Sequence, residues 1–183
     1  MLTDQHVTTV SFASLSRDEM RDCLRIWRMV WPKEDEAEEP VTTKISFARN
    51  AGQERRDEQI HILRNGHSVR AIARSFIRRI GTEDGDRDIL ALASVCTDPA
   101  LRGHGLGRCV VEAAFARLGP QLPVALFQTQ VPGFYEKMGS RRISNRIINS
   151  HGDGRTFWDP VVMIHPGDAT WSDGTIDLRG PAW

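Results

Sequence analysis

The feature that most constrains the fold is a glycine-rich junction, residues 101–108 (LRGHGLGR), which holds three glycines within five residues. It directly follows an apolar run, residues 89–97 (ILALASVCT). Glycine costs backbone entropy and is kept mainly where the chain needs a positive φ or a close approach to its main chain. The junction therefore indicates a strand that turns tightly into the next element and brings another group against its backbone.

An amphipathic helix is predicted directly after the junction. Apolar residues recur at helical spacing from Gly105 to Leu118, and Gly119-Pro120 end the pattern. The first backbone N–H groups of a helix have no intrahelical partner and lie at the positive end of its dipole. The junction is thus predicted to bind an anion, and phosphate is the usual ligand because its oxygens accept from several amides at once.

Two common phosphate-binding patterns do not fit these residues. The order Gly103-His104-Gly105-Leu106-Gly107-Arg108 misplaces the third glycine of the dinucleotide motif, and no early βαβ unit surrounds it. The Gly-Lys-Ser/Thr of the P-loop is also missing. At this point two alternatives stay open: glycines that only permit a tight turn, and another phosphate ligand such as a nucleotide.

Strands and helices are both predicted along the chain. A capping box, Ser16 to Glu19, begins a helix whose apolar residues are Met20, Cys23, Leu24, Trp27, Val30 and Trp31, and Pro32 ends it. Asn65-Gly66 predicts a hairpin turn. The predicted strands are residues 6–13, 59–63, 68–80, 89–97, 123–129, 141–149 and 156–164, and a short helix is predicted over 132–138. The expected class is mixed α/β of the α+β type, with a largely antiparallel central sheet flanked by helices.

Length and charge narrow the function classes. The 183 residues suit a single domain over 1–183, in which 166–183 is predicted to form an irregular C-terminal tail. Lys plus Arg and Asp plus Glu number 24 each, so no net charge favours nucleic acid or a membrane surface as a partner. Three cysteines without Cys-x-x-Cys spacing indicate neither a disulfide framework nor a metal site. With no signal-peptide or membrane-span pattern, a cytoplasmic protein is expected.

Residues 102–107 match the pattern Arg/Gln-x-x-Gly-x-Gly/Ala, and here the chain resembles the GNAT N-acetyltransferase superfamily. The apolar strand, the Asp98-Pro99 break and the following helix come in the family's order. A second segment, residues 132–139 (PGFYEKMG), is similar to the family's Phe-Tyr-x-x-x-Gly-Phe signature, although Ser140 replaces its last aromatic residue. The resemblance covers roughly residues 7–165 and implies a GNAT-like fold.

The resemblance implies acetyl-CoA as cosubstrate and assigns roles to particular residues. Backbone groups of the strand end pair with the pantetheine arm, at Val95, Cys96 and Thr97. The loop holds the pyrophosphate, through Arg102, Gly103, His104, Gly105, Leu106, Gly107 and Arg108. Tyr135, the single tyrosine of the chain, acts as the general acid that protonates the leaving sulfur; packing in the core or against coenzyme A is its alternative role.

The expected reaction is direct attack of an amine on the thioester carbonyl, with a backbone N–H near Cys96 or Thr97 stabilising the oxyanion. The general base is not evident, because Ala91, Ala93 and Ser94 stand where many relatives place a glutamate. Asp98, His61 and a water chain remain candidates. A covalent route through Cys96 is a further alternative, although a cysteine within an apolar strand is usually inert.

The acceptor is expected to be a small amine, with a cationic molecule favoured by two segments. The acidic run 34–40 suits the border of a site for cationic ligands. A tail that interleaves Asp168, Asp173 and Asp177 with Trp171 and Trp183 suits a cation lying on aromatic faces. They equally suit ordinary surface. The closing IDLRGPAW faintly resembles the end of aminoglycoside 2′-N-acetyltransferases. A CoA-binding sensor or interaction module without efficient catalysis is the alternative function, and a homodimer through the late strands is an open expectation.

Overall fold

A computed structural model describes residues 6–32, 55–151 and 161–180. Two 3₁₀ turns, Phe12–Ser14 and Pro99–Leu101, follow β1 and β4. The helices are α1 Arg17–Val30, α2 Leu106–Phe115 and α3 Pro132–Glu136. The strands are β1 His6–Ser11, β2 Arg56–Asn65, β3 Ser68–Thr82, β4 Gly85–Thr97, β5 Ala125–Thr129, β6 Arg141–Ile143, β7 Arg146–Ile148, β8 Val161–His165 and β9 Thr175–Asp177.

Within these residues the strand order is β1-β2-β3-β4-β5-β8-β6, and β9 pairs with both β7 and β3. The pairs β1 with β2, β5 with β8 and β6 with β8 are antiparallel. The pairs β4 with β5 and β7 with β9 are parallel. The predicted class, a mixed and largely antiparallel sheet with helices, is therefore confirmed.

The described chain forms two compact units. The first contains β1, α1, α2, nearly all of β2, the start of β3 and the end of β4. Its core joins the buried face of α1 to the inner positions of β2 and β3, with Met20, Ile26, Ile60, Ile62 and Ile72 fully buried. Each such side chain contributes about 1.5–3 kcal/mol through burial.

The second unit contains residues 76–93 and the elements that follow residue 116. Its core is built from the inner positions of the end of β3, the first part of β4, β5, β8 and β9. Phe76, Ile89, Leu126, Ile164 and Ile176 are among its buried members. No described helix is long and apolar enough to cross a lipid bilayer.

The first helix begins where the sequence predicts and ends one residue earlier than predicted. Ser16 accepts from the backbone N–H of Glu19, and Glu19 accepts from the backbone N–H of Ser16, so the capping box is confirmed. Trp31, however, is exposed (52%) rather than on the apolar face, and Ile26 is buried in its place. The helix ends at Val30, and the chain before Pro32 no longer follows the helical period.

Several predicted boundaries are wrong. The hairpin turn lies at Gly66-His67, because Asn65 is still the last residue of β2. The helix after the junction ends at Phe115 rather than at Leu118. Residues 141–149 form two three-residue strands instead of one, and the tail predicted to be irregular contains β9. Residues 34–40, Trp183 and the first part of the strand predicted over 156–164 lie outside the described residues.

Candidate active site

Asp98 anchors the start of the junction, directly after β4. Its backbone N–H donates to the carbonyl of Arg70 (2.9 Å), and its Oδ1 accepts from the N–H of Ala100 (3.1 Å). Its Oδ2 accepts from Nη1 of Arg70 at 3.3 Å. The buried carboxylate of Asp98 thus fixes the 3₁₀ turn that leads into the glycines.

Two glycines of the junction adopt the left-handed conformation that the sequence leads one to expect. Gly103 has φ 84°, and Gly105, the N-cap of α2, has φ 79°. No other heavy atom stands within 4 Å of the place where a Cβ would lie at either residue. Because both residues are exposed, their main chain is open to a ligand of appreciable size.

The amides of this loop are not used within the described structure. None of the backbone N–H groups from Gly103 to Arg108 has a hydrogen-bond partner among the described residues, and Gly105 supplies no side-chain cap. The first bond into the helix is donated by Cys109 to the carbonyl of Gly105 (3.2 Å). Six consecutive donors, the last three belonging to the first turn of α2, are therefore available to an anion.

Charged side chains flank these donors. Arg102 is exposed, and Arg108 forms a 2.6 Å ion pair with Glu112 in which both side chains are more than half exposed. Nδ1 of His104 lies 3.0 Å from the carbonyl oxygen of Arg102 and 3.2 Å from that of Leu101. Two acceptors at one nitrogen require it to carry the proton, so this imidazole is held by its own loop.

The strand end that precedes the junction extends beyond its ladder with β5. That ladder comprises Leu90–Ala125 and Ala91–Leu126, and Val95, Cys96 and Thr97 lie further along β4. Ser94, a non-glycine residue with φ 50°, interrupts the regular strand there. Cys96 is buried, and desolvation raises the pKa of its thiol far above its ordinary value. A thiol of this kind stays protonated at neutral pH, which argues against the covalent route.

Tyr135 belongs to the second unit, whereas the junction belongs to the first. Its ring is buried on α3, between Phe127 (centroids 4.6 Å apart) and Phe134 (4.8 Å). Its carbonyl accepts from the N–H groups of Met138 and Ser140, which close the helix. The ring is thus enclosed by aromatic packing, and the main chain of Tyr135 takes part in the hydrogen bonds at the end of the helix.

The two side chains predicted as alternative bases are both engaged. His61 is fully buried, with Nδ1 2.9 Å from Oγ1 of Thr9 and Nε2 2.8 Å from Oγ of Ser75. Both ring nitrogens are therefore committed within the protein. Asp98 uses both carboxylate oxygens to hold its own turn and Arg70, as described above.

The tail residues predicted to attract a cation are partly used inside the fold. Asp177 accepts from the backbone N–H groups of Ser150 and Arg179, both at 3.0 Å. Burial alone would raise the pKa of this carboxyl, but these bonds and the charge of Arg179 outweigh it and lower the pKa. The guanidinium of Arg87 lies 4.7 Å from the ring of Trp171, so this indole already carries a cation of the protein. Asp168 and Asp173 are exposed.

A buried charged cluster, which the sequence analysis did not predict, lies in the first unit. Glu58 of β2 pairs with Arg74 of β3, and Nη1 of Arg74 lies 3.4 Å from Oγ of Ser94 on β4. The guanidinium is stacked over Phe12 (4.4 Å) and Trp27 (5.5 Å). One sequence signal could have revealed this cluster. Glu58 alternates with Ile60 and Ile62 and therefore lies on the inward face of β2, where a charged residue is rare.

The described residues contain no group of three or more His, Cys, Asp and Glu side chains that could hold a metal ion. This part of the chain offers main-chain anion donors, two arginines and a buried carboxylate instead. The main-chain donors and the arginines can bind a phosphorylated ligand without a metal ion.

Comparisons with known proteins identify the family and the fold. A family model described as an acetyltransferase (GNAT) domain matches residues 11–142. Similar solved structures include Escherichia coli ElaA, with 14% identity over 88% of this chain and 99% of that chain (TM-score 0.55). An acyl-CoA N-acyltransferase from Pseudomonas aeruginosa has 16% identity with the same coverages (TM-score 0.55). Glucosamine-6-phosphate N-acetyltransferase from Arabidopsis thaliana has 16% identity over 85% and 99% of the two chains (TM-score 0.57). A search of curated protein sequences gives no match.

Proposed function

The chain belongs to the GNAT acetyltransferase family, and from this premise we propose that it transfers an acetyl group from acetyl-CoA to the amine of a small cationic molecule. The observation that carries the proposal is the row of six backbone N–H groups, Gly103 to Arg108, without partners among the described residues. Unpaired donors at a helix start are suited to the oxygens of a diphosphate. The open space beside Gly103 and Gly105 fits such a group as well.

The residues around this row would each contribute to holding coenzyme A. Arg102 and Arg108 would add charge-assisted contacts to the phosphates. Val95, Cys96 and Thr97, beyond the ladder with β5, would offer main-chain groups to the pantetheine arm. When bound, acetyl-CoA would supply the acyl group as a thioester, activated toward an amine.

Two further residues bear on the chemistry. Tyr135 is our candidate for the general acid that protonates the departing sulfur. Its ring packs against Phe127 and Phe134. The neutral, buried thiol of Cys96 supports direct attack by the amine over a covalent intermediate on the enzyme.

A second candidate function is a CoA-binding sensor. It is favoured by one observation: Asp98 and His61, the two side chains considered as bases, are both committed to hydrogen bonds within the fold. Under this alternative the protein binds coenzyme A but does not turn over acetyl-CoA with any amine.

A thermal-shift experiment tests the shared premise, because a ligand that binds the native state raises stability by about 2.7 kcal/mol at one hundred times its Kd. Acetyl-CoA is expected to stabilise the wild-type chain more than ATP or inorganic pyrophosphate does. The variant Gly105→Ala strains a positive φ and places a methyl group at the donors, so its response to acetyl-CoA should be lost.

The matched control is Gly66→Ala, at another positive-φ glycine with no atom within 4 Å of its Cβ position. It should lower basal stability by a similar amount and keep the response to acetyl-CoA. An equal stabilisation by ATP, or an unchanged response of Gly105→Ala, would contradict the proposal. Stabilisation without release of free thiol from acetyl-CoA, across a panel of amines, would favour the sensor.

A further inference from the structure

Arg70 of β3 holds Asp98 twice, once through its main chain and once through its side chain. The carbonyl of Arg70 accepts from the backbone N–H of Asp98 at 2.9 Å, and Nη1 of Arg70 donates to Oδ2 of Asp98 at 3.3 Å. The side chain of Asp98 is 7% exposed, whereas that of Arg70 is 32% exposed. The enclosed carboxylate is therefore balanced by the charge of a partly exposed arginine.

The segment that follows Asp98 is not held by hydrophobic packing. The 3₁₀ turn Pro99–Leu101 contains no buried residue. Its bonds are polar: Oδ1 of Asp98 accepts from the N–H of Ala100 at 3.1 Å, and the carbonyl of Asp98 accepts from the N–H of Leu101 at 2.8 Å. Because the turn has no apolar anchor, its direction depends on where Asp98 is held.

The direction of this turn decides where half of the donor row points. The last three donors of the row Gly103 to Arg108 lie in the first turn of α2, which the buried Leu106 anchors. The first three precede the helix, and their two glycines have positive φ and no atom within 4 Å of the Cβ position. Nδ1 of His104 bonds to two carbonyls at the end of the 3₁₀ turn. These three donors therefore take their orientation from the turn.

Stability alone would not favour the pair of Arg70 and Asp98. Nε of Arg70 is buried and has no acceptor among the described residues. A buried donor without an acceptor lowers the stability of the fold, and so does the desolvation of a carboxylate. Replacing such an ion pair by apolar residues of similar size is often neutral or stabilising. Departures of this kind are expected where a residue serves function.

We infer that Arg70 is a positioning residue for coenzyme A. Acting through Asp98, it fixes the 3₁₀ turn and thereby orients the first three donors, Gly103 to Gly105, toward the diphosphate in the free protein. A preorganised loop loses less conformational entropy on binding, so its affinity is higher. This inference rests on the proposed function, because the diphosphate is that of the cosubstrate.

The substitutions that test this role change the pair by small steps. Arg70→Gln removes the charge but keeps a side-chain donor, and Arg70→Lys keeps the charge. Asp98→Asn keeps an oxygen for the turn but replaces Oδ2 by an NH₂ group that faces the guanidinium. The control is Arg64→Gln, which breaks another partly exposed ion pair of the first unit, 3.2 Å long, with Glu19.

Calorimetric titrations measure the Kd of coenzyme A and of dephospho-coenzyme A, which keeps the diphosphate but lacks the 3′-phosphate. Arg70→Gln and Asp98→Asn should each raise both Kd values about tenfold, and Arg70→Lys should recover most of this loss. Arg64→Gln should leave both values unchanged. The double variant Arg70→Gln with Asp98→Asn should bind no more weakly than either single variant, because the two residues act as one unit.

Hydrogen exchange without ligand reports on the turn itself. The N–H groups of Ala100 and Leu101 are bonded to Asp98. They should exchange faster in Arg70→Gln and Asp98→Asn than in the wild type, and at the wild-type rate in Arg64→Gln. A general loss of stability would instead speed exchange throughout the first unit.

The outcomes separate this inference from the proposed function. If neither ligand binds the wild type, the proposed function fails. If both bind but Arg70→Gln keeps the wild-type Kd values, Arg70 has no positioning role; should Arg70→Gln not fold, Asp98→Asn decides the same question. Additive losses in the double variant, or a loss with coenzyme A that is absent with dephospho-coenzyme A, would mean that Arg70 contacts the ligand directly. Either result, or faster exchange throughout the first unit, would overturn the inference.

Discussion

The first unit presents two polar regions that differ in how their hydrogen-bonding groups are supplied. The junction from Gly103 to Arg108 offers main-chain donors on an exposed loop, whereas the cluster of Glu58, Arg74 and Trp27 offers side-chain atoms in the interior. The exposed amides cost little when no ligand is present, because water hydrates them. The buried atoms without partners among the described residues, Oε2 of Glu58 and Nε1 of Trp27, lower the stability of the fold whether or not a ligand is present, because neither water nor protein satisfies them. We therefore expect substitutions in the buried cluster to change mainly the free energy of unfolding, and substitutions at the junction to change mainly ligand binding.

The largest expected effect comes from removing one partner of the buried pair. Arg74→Met leaves the carboxylate of Glu58 uncompensated in the interior and should lower the free energy of unfolding by about 3–5 kcal/mol. The double variant Arg74→Met with Glu58→Leu should recover most of this loss. Urea denaturation of the three proteins checks the prediction, and a single variant that loses less than about 1 kcal/mol would mean that the pair is effectively solvated.

A smaller effect is expected at the junction, and on binding rather than on stability. Arg108→Gln breaks only an exposed pair with Glu112, so unfolding should change by less than about 0.5 kcal/mol. Its Kd for coenzyme A should rise about fivefold, and less so at high salt. Glu112→Gln releases Arg108 and should tighten binding slightly. Calorimetric titrations at two salt concentrations measure both, and equal Kd values for all three proteins would remove Arg108 from the site.

An intermediate case is the half-exposed pair of Glu19 with Arg64. Hydrogen bonds from the backbone and side chain of Ser16, and then the charge of Arg64, lower the pKa of Glu19 below its ordinary 4.5. A lowered carboxyl pKa contributes stability that is present above the unfolded value and is lost as pH falls through the folded one. Glu19→Gln should therefore cost less than about 1 kcal/mol at pH 7. Unfolding curves at several pH values should show that difference disappearing in acid; a constant difference would exclude the charge as its cause.

The smallest effect is expected at the two buried cysteines, Cys23 on α1 and Cys96 on β4. Burial raises the pKa of the Cys23 thiol to about 12 and that of Cys96 further still, so neither forms a reactive thiolate at pH 8. Iodoacetamide should label the more accessible Cys109 in the native protein and the other two only after unfolding. Mass spectrometry of the peptides checks this order. Rapid native labelling of Cys96 would reopen the covalent route.

The junction could be predicted from the sequence because its signals are local. Glycines, an aspartate before a proline and the start of a helical period all lie within some twenty residues. The structure contains the 3₁₀ turn, the positive φ angles and the helix start that these residues predict. The capping box is equally local. Binding of coenzyme A by these residues stays a prediction until the ligand experiments are done.

The buried cluster could not be predicted in the same way, because its members come from α1, β2, β3 and β4 and meet only in the folded chain. His61 shows the related difficulty. Both faces of β2 are buried, so alternation does not reveal that this imidazole is enclosed. The strands β6, β7 and β9 have three residues each, too few for any period, and β9 gains its partners from distant segments.

Nε of Arg78, on β3, donates to the carbonyl of Leu178 at 3.0 Å, across a separation of 100 residues in the chain. During synthesis the guanidinium leaves the ribosome long before that carbonyl exists. The second unit therefore cannot complete its interior in step with translation, and its folding should follow the emergence of β9 as a late, cooperative event. A nascent chain halted before residue 178 would be expected to depend on chaperones more than the finished protein does.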